Sequence, residues 1–279
     1  MPEAPRPPEW SRLRLEGVHK TFQDSRGGLY TACAGVDLDI ARGDFYCLLG
    51  PSGSGKSTLL NLIAGFEAPS AGRIAFVRGA HERACEHAIA GPGVDRAMIF
   101  QDATEALFPW LSVAENILFG PRLHGSKGAP LADNLGRYLH LVGLTAHAHK
   151  FPFELSGGMK QRVQIARALI MEPEILLMDE PFASLDAINK RLLQAELARI
   201  WQQTRKTVVY VTHDIVEALL LGTHVAVMTA GPAGRIKQSL TVELAYPRRA
   251  TDPAFVDHVR RLEALLEEEV ARSRVAEAG

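Results

Sequence analysis

The segment that most constrains the fold is residues 50–57, GPSGSGKS, which follow the unbroken apolar run Phe45–Leu49. It matches the pattern Gly-x-x-x-x-Gly-Lys-Ser/Thr, in which glycines let backbone N–H groups close around phosphate oxygens. The helical pattern Lys56–Ala64 follows, and the positive end of such a helix faces the same phosphates. The alternative, a Gly/Ser-rich turn with an incidental lysine, is disfavoured by this order of strand, loop and helix. The segment therefore predicts a site for a nucleoside triphosphate. The residues predicted to contact it are Gly50, Pro51, Ser52, Gly53, Ser54, Gly55, Lys56, Ser57 and Thr58.

Strand and helix patterns alternate along much of the remaining chain. Short apolar runs typical of strands covered on both faces occur at Ile175–Met178, Val208–Val211 and Val225–Met228. Helical patterns lie at Met159–Ile170, Ile188–Gln203 and Asp214–Leu221. This alternation predicts an α/β fold with a mostly parallel central sheet.

The pattern changes along the chain predict its organisation. Residues 1–11 are rich in proline and are predicted to form a flexible tail before a main domain over residues 12–250. Strand signals vanish between Asp102 and Phe153, which predicts an inserted helical subdomain at about residues 103–170. Residues 79–94 favour an irregular loop or a hairpin extension, and 251–279 a C-terminal helix with Asp252 as its N-cap.

Composition excludes several classes of protein. The chain has 279 residues, with 31 Lys+Arg against 32 Asp+Glu, and this net charge of −1 argues against a broad nucleic-acid-binding face. Three cysteines in such a chain cannot form a disulfide framework, which favours a reducing compartment. No segment reaches the roughly 18 unbroken apolar residues of a spanning helix, and the first ten residues lack a signal region. We therefore expect a cytoplasmic protein.

Two carboxylates follow the predicted strand Ile175–Met178, in residues 175–180, ILLMDE. A buried strand would hold Asp179 rigidly towards the phosphate loop, where Asp179 and Ser57 can ligate Mg²⁺. Glu180 lies one residue further and can polarise an attacking water. A strand that merely ends in polar residues is the alternative for this pair alone.

Residues 155–162, LSGGMKQR, resemble the signature motif of the ATP-binding cassette (ABC) ATPases. The resemblance covers about residues 12–240 and implies a P-loop NTPase core with a mostly parallel sheet, an antiparallel N-terminal β subdomain and an inserted α-helical subdomain. It also implies that Ser156, Gly157 and Gly158 cover an ATP held by the phosphate loop of another protomer. The expected assembly is a homodimer or a pair with a second ABC ATPase subunit.

The same resemblance implies roles for residues that would otherwise look ordinary. Gln101 is expected to reach Mg²⁺ and the attacking water, and His213 to contact the γ-phosphate and hold the geometry of the water and Glu180. Asp186 is expected to cross the dimer interface. Phe22 is the favoured adenine contact, with Tyr30 as its rival.

The apolar stretch Leu107–Leu111, LFPWL, predicts a docking groove for a partner helix, or else internal packing of the helical insertion. The resemblance to the ABC ATPases implies that this partner is a helix of a membrane permease. The surrounding sequence resembles the ATPases of nitrate, sulfonate and taurine importers. This narrower resemblance implies an ATP-hydrolysing subunit, peripheral on the inner face of the cell membrane, working with permease subunits and a solute-binding protein but no nucleic acid.

The sequence leaves three other interpretations of its motifs open. One is a catalytically silent nucleotide-binding partner, against which Glu180, His213 and the complete signature argue. Another is a soluble ABC protein acting in DNA repair or translation, although two cassettes or a long coiled coil are absent from the sequence. The third is a zinc site at His81, Cys85 and His87, whose spacing is unlike that of paired zinc ligands.

Overall fold

The protein is described here by a computed structural model covering residues 10–24, 27–78, 85–125, 128–183 and 185–277. Its strands are β1 (Trp10–Gln23), β2 (Leu29–Ala41), β3 (Phe45–Leu49), β4 (Ala71–Arg78), β5 (Cys85–Ala88), β6 (Arg96–Ile99), β7 (Ile175–Asp179), β8 (Thr207–Thr212), β9 (His224–Met228) and β10 (Ile236–Thr241). Its α-helices are α1 (Lys56–Ala64), α2 (Ala103–Ala106), α3 (Val113–Leu123), α4 (Ala129–Leu141), α5 (Gly157–Leu169), α6 (Ala187–Thr204), α7 (Ile215–Leu221) and α8 (Pro253–Glu277).

The central sheet has the strand order β10-β9-β3-β8-β7-β6, and every neighbouring pair is parallel except β10 with β9. All five residues of β3 are buried, as expected for a strand covered on both faces. The register pairs Leu49 with Thr212 and Asp179 with Val211. The loops that follow β3, β6, β7 and β8 therefore meet at one edge of the sheet, where open α/β sheets bind ligands.

A second, antiparallel sheet has the order β2-β1-β4-β5. The pairing of Arg78 with Cys85 shows that β4 and β5 form a hairpin, so part of segment 79–94 is a hairpin extension. Residues 79–84, including His81, lie outside the described residues, as does the side chain of Cys85.

The alternating side chains of the central strands divide the core into two layers. Tyr46 and Leu48 of β3 pack with α1 and the antiparallel sheet. Phe45, Cys47 and Leu49 pack on the other face, with α5, α6, α7 and α8. Helices α1 and α5 therefore lie on opposite faces of the central sheet.

The fold class is confirmed: an α/β core with a mostly parallel sheet, an antiparallel N-terminal sheet and a helical segment between β6 and β7. The predicted tail was too long by two residues, because β1 begins at Trp10. The Trp10 ring is buried 5.1 Å from the Phe76 ring, and its Nε1 donates to Glu174 at 3.1 Å. Sequence periodicity does not reveal such a long-range contact.

The sequence patterns predict no strand at β4 or at β10, although the structure has both. In β4 the only continuous buried run is Ile74–Val77, between polar and glycine residues, and β10 has one buried residue, Leu240. Within the described part of the chain, no helix combines the length and apolarity needed to span a membrane.

Candidate active site

The phosphate loop joins β3 to α1 at the carboxyl edge of the central sheet, as predicted. Gly53 and Gly55 have φ values of 78° and 88°, a left-handed conformation that glycine adopts without strain. A Cβ on Gly55 would lie only 2.5 Å from the carbonyl oxygen of Ala32. Among the described side chains, none caps α1 at Gly55, so the N–H groups of its first turn are available to an anion.

Lys56 is held inside this loop. It is only 6% exposed, and its Nζ donates to the carbonyl oxygens of Gly50 at 2.8 Å and Pro51 at 2.7 Å. Burial lowers the pKa of Lys56, and the charges of Glu180 and Asp179 oppose that shift. Negatively charged phosphate oxygens would therefore stabilise the charged form of Lys56 more than these neutral carbonyl oxygens do.

Ser57 and Asp179 meet across the gap between α1 and β7. The Ser57 hydroxyl donates to Asp179 Oδ1 at 3.0 Å. Burial raises the pKa of Asp179, a shift that the Ser57 hydrogen bond opposes and the neighbouring Glu180 charge reinforces. A hydroxyl and a partly desolvated carboxylate at this distance are hard oxygen donors of the kind that Mg²⁺ accepts, so the residues present fit that ion.

Glu180 and His213 form the second contact at the site. Nδ1 of His213 lies 3.0 Å from Glu180 Oε2, and the imidazole is 59% exposed. Glu180 has a φ of 41°, a conformation uncommon for a residue with a side chain, and its N–H donates to the carbonyl of Val211 at 3.1 Å. The left-handed turn directs the chain away from the sheet just where β7 ends. The carboxylate is thereby held at an open edge.

Gln101 lies two residues beyond the end of β6. Ile99 of that strand pairs with Met178, so Gln101 and Asp179 leave the sheet at the same edge. The Gln101 side chain is exposed there. Its predicted reach to a metal and water remains a proposal.

The signature residues form the start of α5. Ser156 is the N-cap, and its Oγ accepts from the N–H of Met159 at 3.3 Å. Gly157 is tightly placed, since a Cβ there would lie 3.3 Å from a Leu185 methyl group. Helices α5 and α1 pack on opposite faces of the central sheet, and none of the described hydrogen bonds links Ser156, Gly157 or Gly158 to the phosphate loop.

Asp186 begins α6 and already has partners within the chain. Its Oδ1 accepts from the N–H groups of Ile188 and Asn189, each at 3.1 Å, and its Oδ2 accepts from Asn189 Nδ2 at 2.6 Å. These hydrogen bonds lower the pKa of Asp186. The sequence analysis missed this capping role. Ser184, two residues before Asp186, lies outside the described residues.

The two candidate adenine contacts are direct partners across β1 and β2, because Phe22 pairs with Tyr30. Their side chains therefore lie next to each other on one face of the antiparallel sheet. Tyr30 is 47% exposed, while Phe22 is partly buried with Lys20 Nζ 4.8 Å from its ring centre. Either ring is therefore positioned to meet an adenine base at the same place on the antiparallel sheet.

A shallow groove of about 360 Å³ lies on the helical segment, apart from this edge. Trp110 on its rim is 71% exposed, and Phe119 is 43% exposed. The predicted alternative, internal packing, holds for Leu107, which is buried, and in part for Phe108, whose ring centre lies 4.5 Å from that of Phe119. The residues lining the groove are Trp110, Leu111, Glu115, Phe119, Arg122 and Leu123.

Together, the parallel sheet, the glycine-rich loop around Lys56 and the paired carboxylates define a P-loop nucleoside triphosphatase. A profile of the ABC transporter family matches residues 33–183. The chain belongs to the ABC transporter family. This match confirms the predicted family, the ABC ATPases.

Individual relatives agree with this assignment. The chain is 44% identical to the nitrate import ATP-binding protein NrtD of Synechococcus elongatus, covering 91% of this chain and 90% of that one. It is 41% identical to the taurine import ATP-binding protein TauB of Jannaschia sp., covering 84% and 83%. Among solved structures, a dimeric ATP-binding cassette bound to ADP and Pi matches with a TM-score of 0.66 and 28% identity, covering 84% of this chain and 100% of that one.

Proposed function

We propose that this chain is the ATP-hydrolysing subunit of a membrane importer for a small solute of the nitrate, sulfonate or taurine kind. The observation that carries the proposal is the convergence of Lys56, the Ser57–Asp179 pair and the Glu180–His213 pair at one edge of the sheet. The names of the relatives add the importer class and the type of solute.

The geometry supports a water-mediated attack on the γ-phosphate of ATP. Glu180 accepts a proton from water, and the water oxygen bonds to the γ-phosphorus while the bond from phosphorus to the bridging oxygen breaks. His213, 3.0 Å from Glu180, orients that carboxylate, and Lys56 neutralises charge on the phosphates. Ser57, Asp179 and Gln101 would hold Mg²⁺, which when bound neutralises charge on the β- and γ-phosphates.

The complete site needs two chains. Helices α5 and α1 lie on opposite faces of one central sheet, which leaves Ser156, Gly157 and Gly158 at the start of α5 to cover nucleotide held by a partner. A helix start carries partial positive charge that suits a triphosphate. The dimeric state of the similar cassette supports a head-to-tail pair of this chain or a pair with a second ATPase subunit.

Coupling to transport uses the groove around Trp110. Large exposed aromatic side chains on the helical segment, which follows Gln101 in the chain, suit a helix of a permease. Through that permease the chain would work as a peripheral subunit at the inner face of the membrane, with a solute-binding protein supplying the solute. The silent-partner alternative is not favoured, because Glu180 and His213 are in contact.

The test is the steady-state ATPase rate of the purified full chain and of its Glu180→Gln variant. We expect the variant to bind ATP within about twofold of the parent and to lose at least about 100-fold in kcat, since the base is removed and shape is kept. Glu243→Gln, an exposed glutamate after β10, is the matched control and should keep full activity. A Glu180→Gln variant that turns over ATP at the parent rate would contradict the assignment.

A further inference from the structure

A polar cluster around one buried carboxyl group includes both chain neighbours of His213, Thr212 and Asp214. Its centre is Glu217 of α7, which is only 3% exposed although it is a carboxylate. Burial of an ionisable group is expensive unless its oxygens are hydrogen-bonded. Both oxygens of Glu217 have partners.

One set of partners fixes the turn that carries His213. The Thr212 hydroxyl donates to Glu217 Oε2, and Thr212 Oγ1 in turn accepts from the N–H of Asp214 at 3.1 Å. Asp214 Oδ1 accepts from the N–H of Glu217 at 3.1 Å. The residues on either side of His213 are thus bound to Glu217, and His213 itself is left to contact Glu180.

The other set of partners joins this turn to α6. Gln194 Nε2 donates to Glu217 Oε1 at 3.0 Å. Lys190 Nζ lies 2.9 Å from Asp214 Oδ2 and 3.7 Å from Glu217 Oε1. Since α6 starts at Asp186, which is expected at the dimer interface, the cluster connects that interface to the His213 turn within one chain.

Two groups next to Glu217, Tyr210 and Cys47, have raised pKa values. Burial, and next the Glu217 charge, raise the pKa of the Tyr210 phenol well above its usual range. The same two causes raise the pKa of the Cys47 thiol. A carboxyl group buried this deep, with Gln194 Nε2 at 3.0 Å and Lys190 Nζ at 3.7 Å from Oε1, is a feature that simple packing does not require.

We infer that Glu217 is a positioning residue for ATP hydrolysis, which holds the His213 turn against Glu180 and, through Lys190 and Gln194, ties it to the start of α6. This inference rests on the proposed roles of Glu180 and His213. It predicts that neutralising Glu217 lowers turnover without weakening nucleotide binding, because Glu217 touches neither the phosphate loop nor the candidate adenine contacts in the described hydrogen bonds.

The experiment compares Glu217→Gln with Glu196→Gln in the purified full chain. Glu196 is on α6 as well and loses an ion pair with Arg162 at 2.8 Å, but that pair faces the helical segment. We expect Glu217→Gln to lower kcat about tenfold or more with KM within twofold, and Glu196→Gln to leave both within twofold. Lys190→Gln, in a less buried position, should lower kcat about threefold.

A spectroscopic measurement separates positioning from general damage. In protein labelled with [¹³C]histidine, the His213 Cε1 resonance is identified among ten histidines by its loss in His213→Gln. Glu217→Gln and Lys190→Gln should shift this resonance, and Glu196→Gln should not. If Glu217→Gln does not fold, Lys190→Gln decides the matter by the same two measurements.

The outcomes are distinct. An unmoved His213 resonance together with a kcat like that of Glu196→Gln would overturn the inference, as would a raised KM at unchanged kcat. If Glu180→Gln retained activity, the proposed function would fail instead, whatever the behaviour of Glu217→Gln.

Discussion

At the scale of single residues, the site holds charges that favour the nucleotide-bound state over the empty one. Buried Lys56 donates to neutral carbonyl oxygens, and Asp179 has a raised pKa because it is partly desolvated beside Glu180. A bound phosphate would pair with Lys56, and a divalent cation would pair with Asp179. Function and stability of the empty protein are therefore opposed at these positions.

The first prediction concerns Lys56. Lys56→Ala removes the positive charge from the loop and should weaken ATP binding at least about tenfold, or about 1.4 kcal/mol. A titration with a fluorescent ATP analogue measures this. Lys206→Ala is the matched control, because Lys206 precedes β8 at the opposite edge of the sheet and should bind as the parent does. Equal affinities of the two variants would contradict a phosphate role for Lys56.

The second prediction uses the opposite pKa shifts of two aspartates. The raised pKa of Asp179 means that its contribution to stability is present below about pH 3.8 and is lost as pH rises through the folded-state pKa. Asp179→Asn should therefore raise the Tm of the nucleotide-free protein at about pH 7.5, and the gain should shrink towards about pH 4.

Asp186 serves as the internal comparison. Its lowered pKa gives stability that is present above about pH 3.8 and is lost as pH falls through the folded-state pKa. Asp186→Asn keeps an oxygen for the N-cap but loses Oδ2, the acceptor for Asn189 Nδ2, so it should lower Tm at about pH 7.5, and that loss should persist at about pH 4. Thermal unfolding in the presence of EDTA at both pH values tests the pair. Shifts of the same sign in both variants would refute the electrostatic assignment.

At the scale of secondary-structure elements, the start of α5 is the segment expected to meet the partner's nucleotide. Serine at the N-cap stabilises such a helix by about 1 kcal/mol relative to alanine, and Asn or Asp caps equally well. The two replacements differ only in charge. They therefore separate helix capping from anion binding.

The third prediction follows from that difference. Ser156→Asn should retain ATP-dependent dimerisation, whereas Ser156→Asp should lose it because its carboxylate would repel the triphosphate. Both should unfold at nearly the same temperature. Analytical ultracentrifugation with ATP, in the Glu180→Gln background, makes the comparison. Full dimerisation of Ser156→Asp would show that this helix start does not face nucleotide.

The order of elements and the phosphate loop could be predicted from sequence, because both depend on local patterns. GPSGSGKS after an apolar run specifies strand, loop and helix without distant contacts. The contact of Glu180 with His213 could not be derived locally, since it depends on β7 pairing with β8. Likewise Glu217 lies in the most apolar stretch of the chain, and only the fold shows that Thr212 and Gln194 satisfy it.

At the scale of the whole molecule, the chain presents two separate surfaces with different requirements. The proposed function has a second ATPase subunit complete the edge with Lys56 and Glu180. The proposed function makes the groove with Trp110 the docking surface for a membrane partner, and its aromatic side chains are exposed. Substitutions on one surface should leave the other's activity intact.

The fourth prediction concerns the groove. Trp110→Glu should keep the ATPase rate of the isolated chain within twofold, and it should abolish copurification with the multi-spanning permease in detergent. Val94→Glu, another exposed apolar position outside the groove, is the control and should leave copurification unchanged. Retained copurification with Trp110→Glu would place the docking surface elsewhere.

The central claim is that two chains complete the ATP site between them. Sedimentation of the Glu180→Gln variant with radiolabelled ATP and Mg²⁺ tests it most directly. The account predicts a monomer without nucleotide and a dimer with ATP, carrying two unhydrolysed ATP molecules per dimer. A variant that binds ATP fully but sediments as a monomer at all protein concentrations would contradict it.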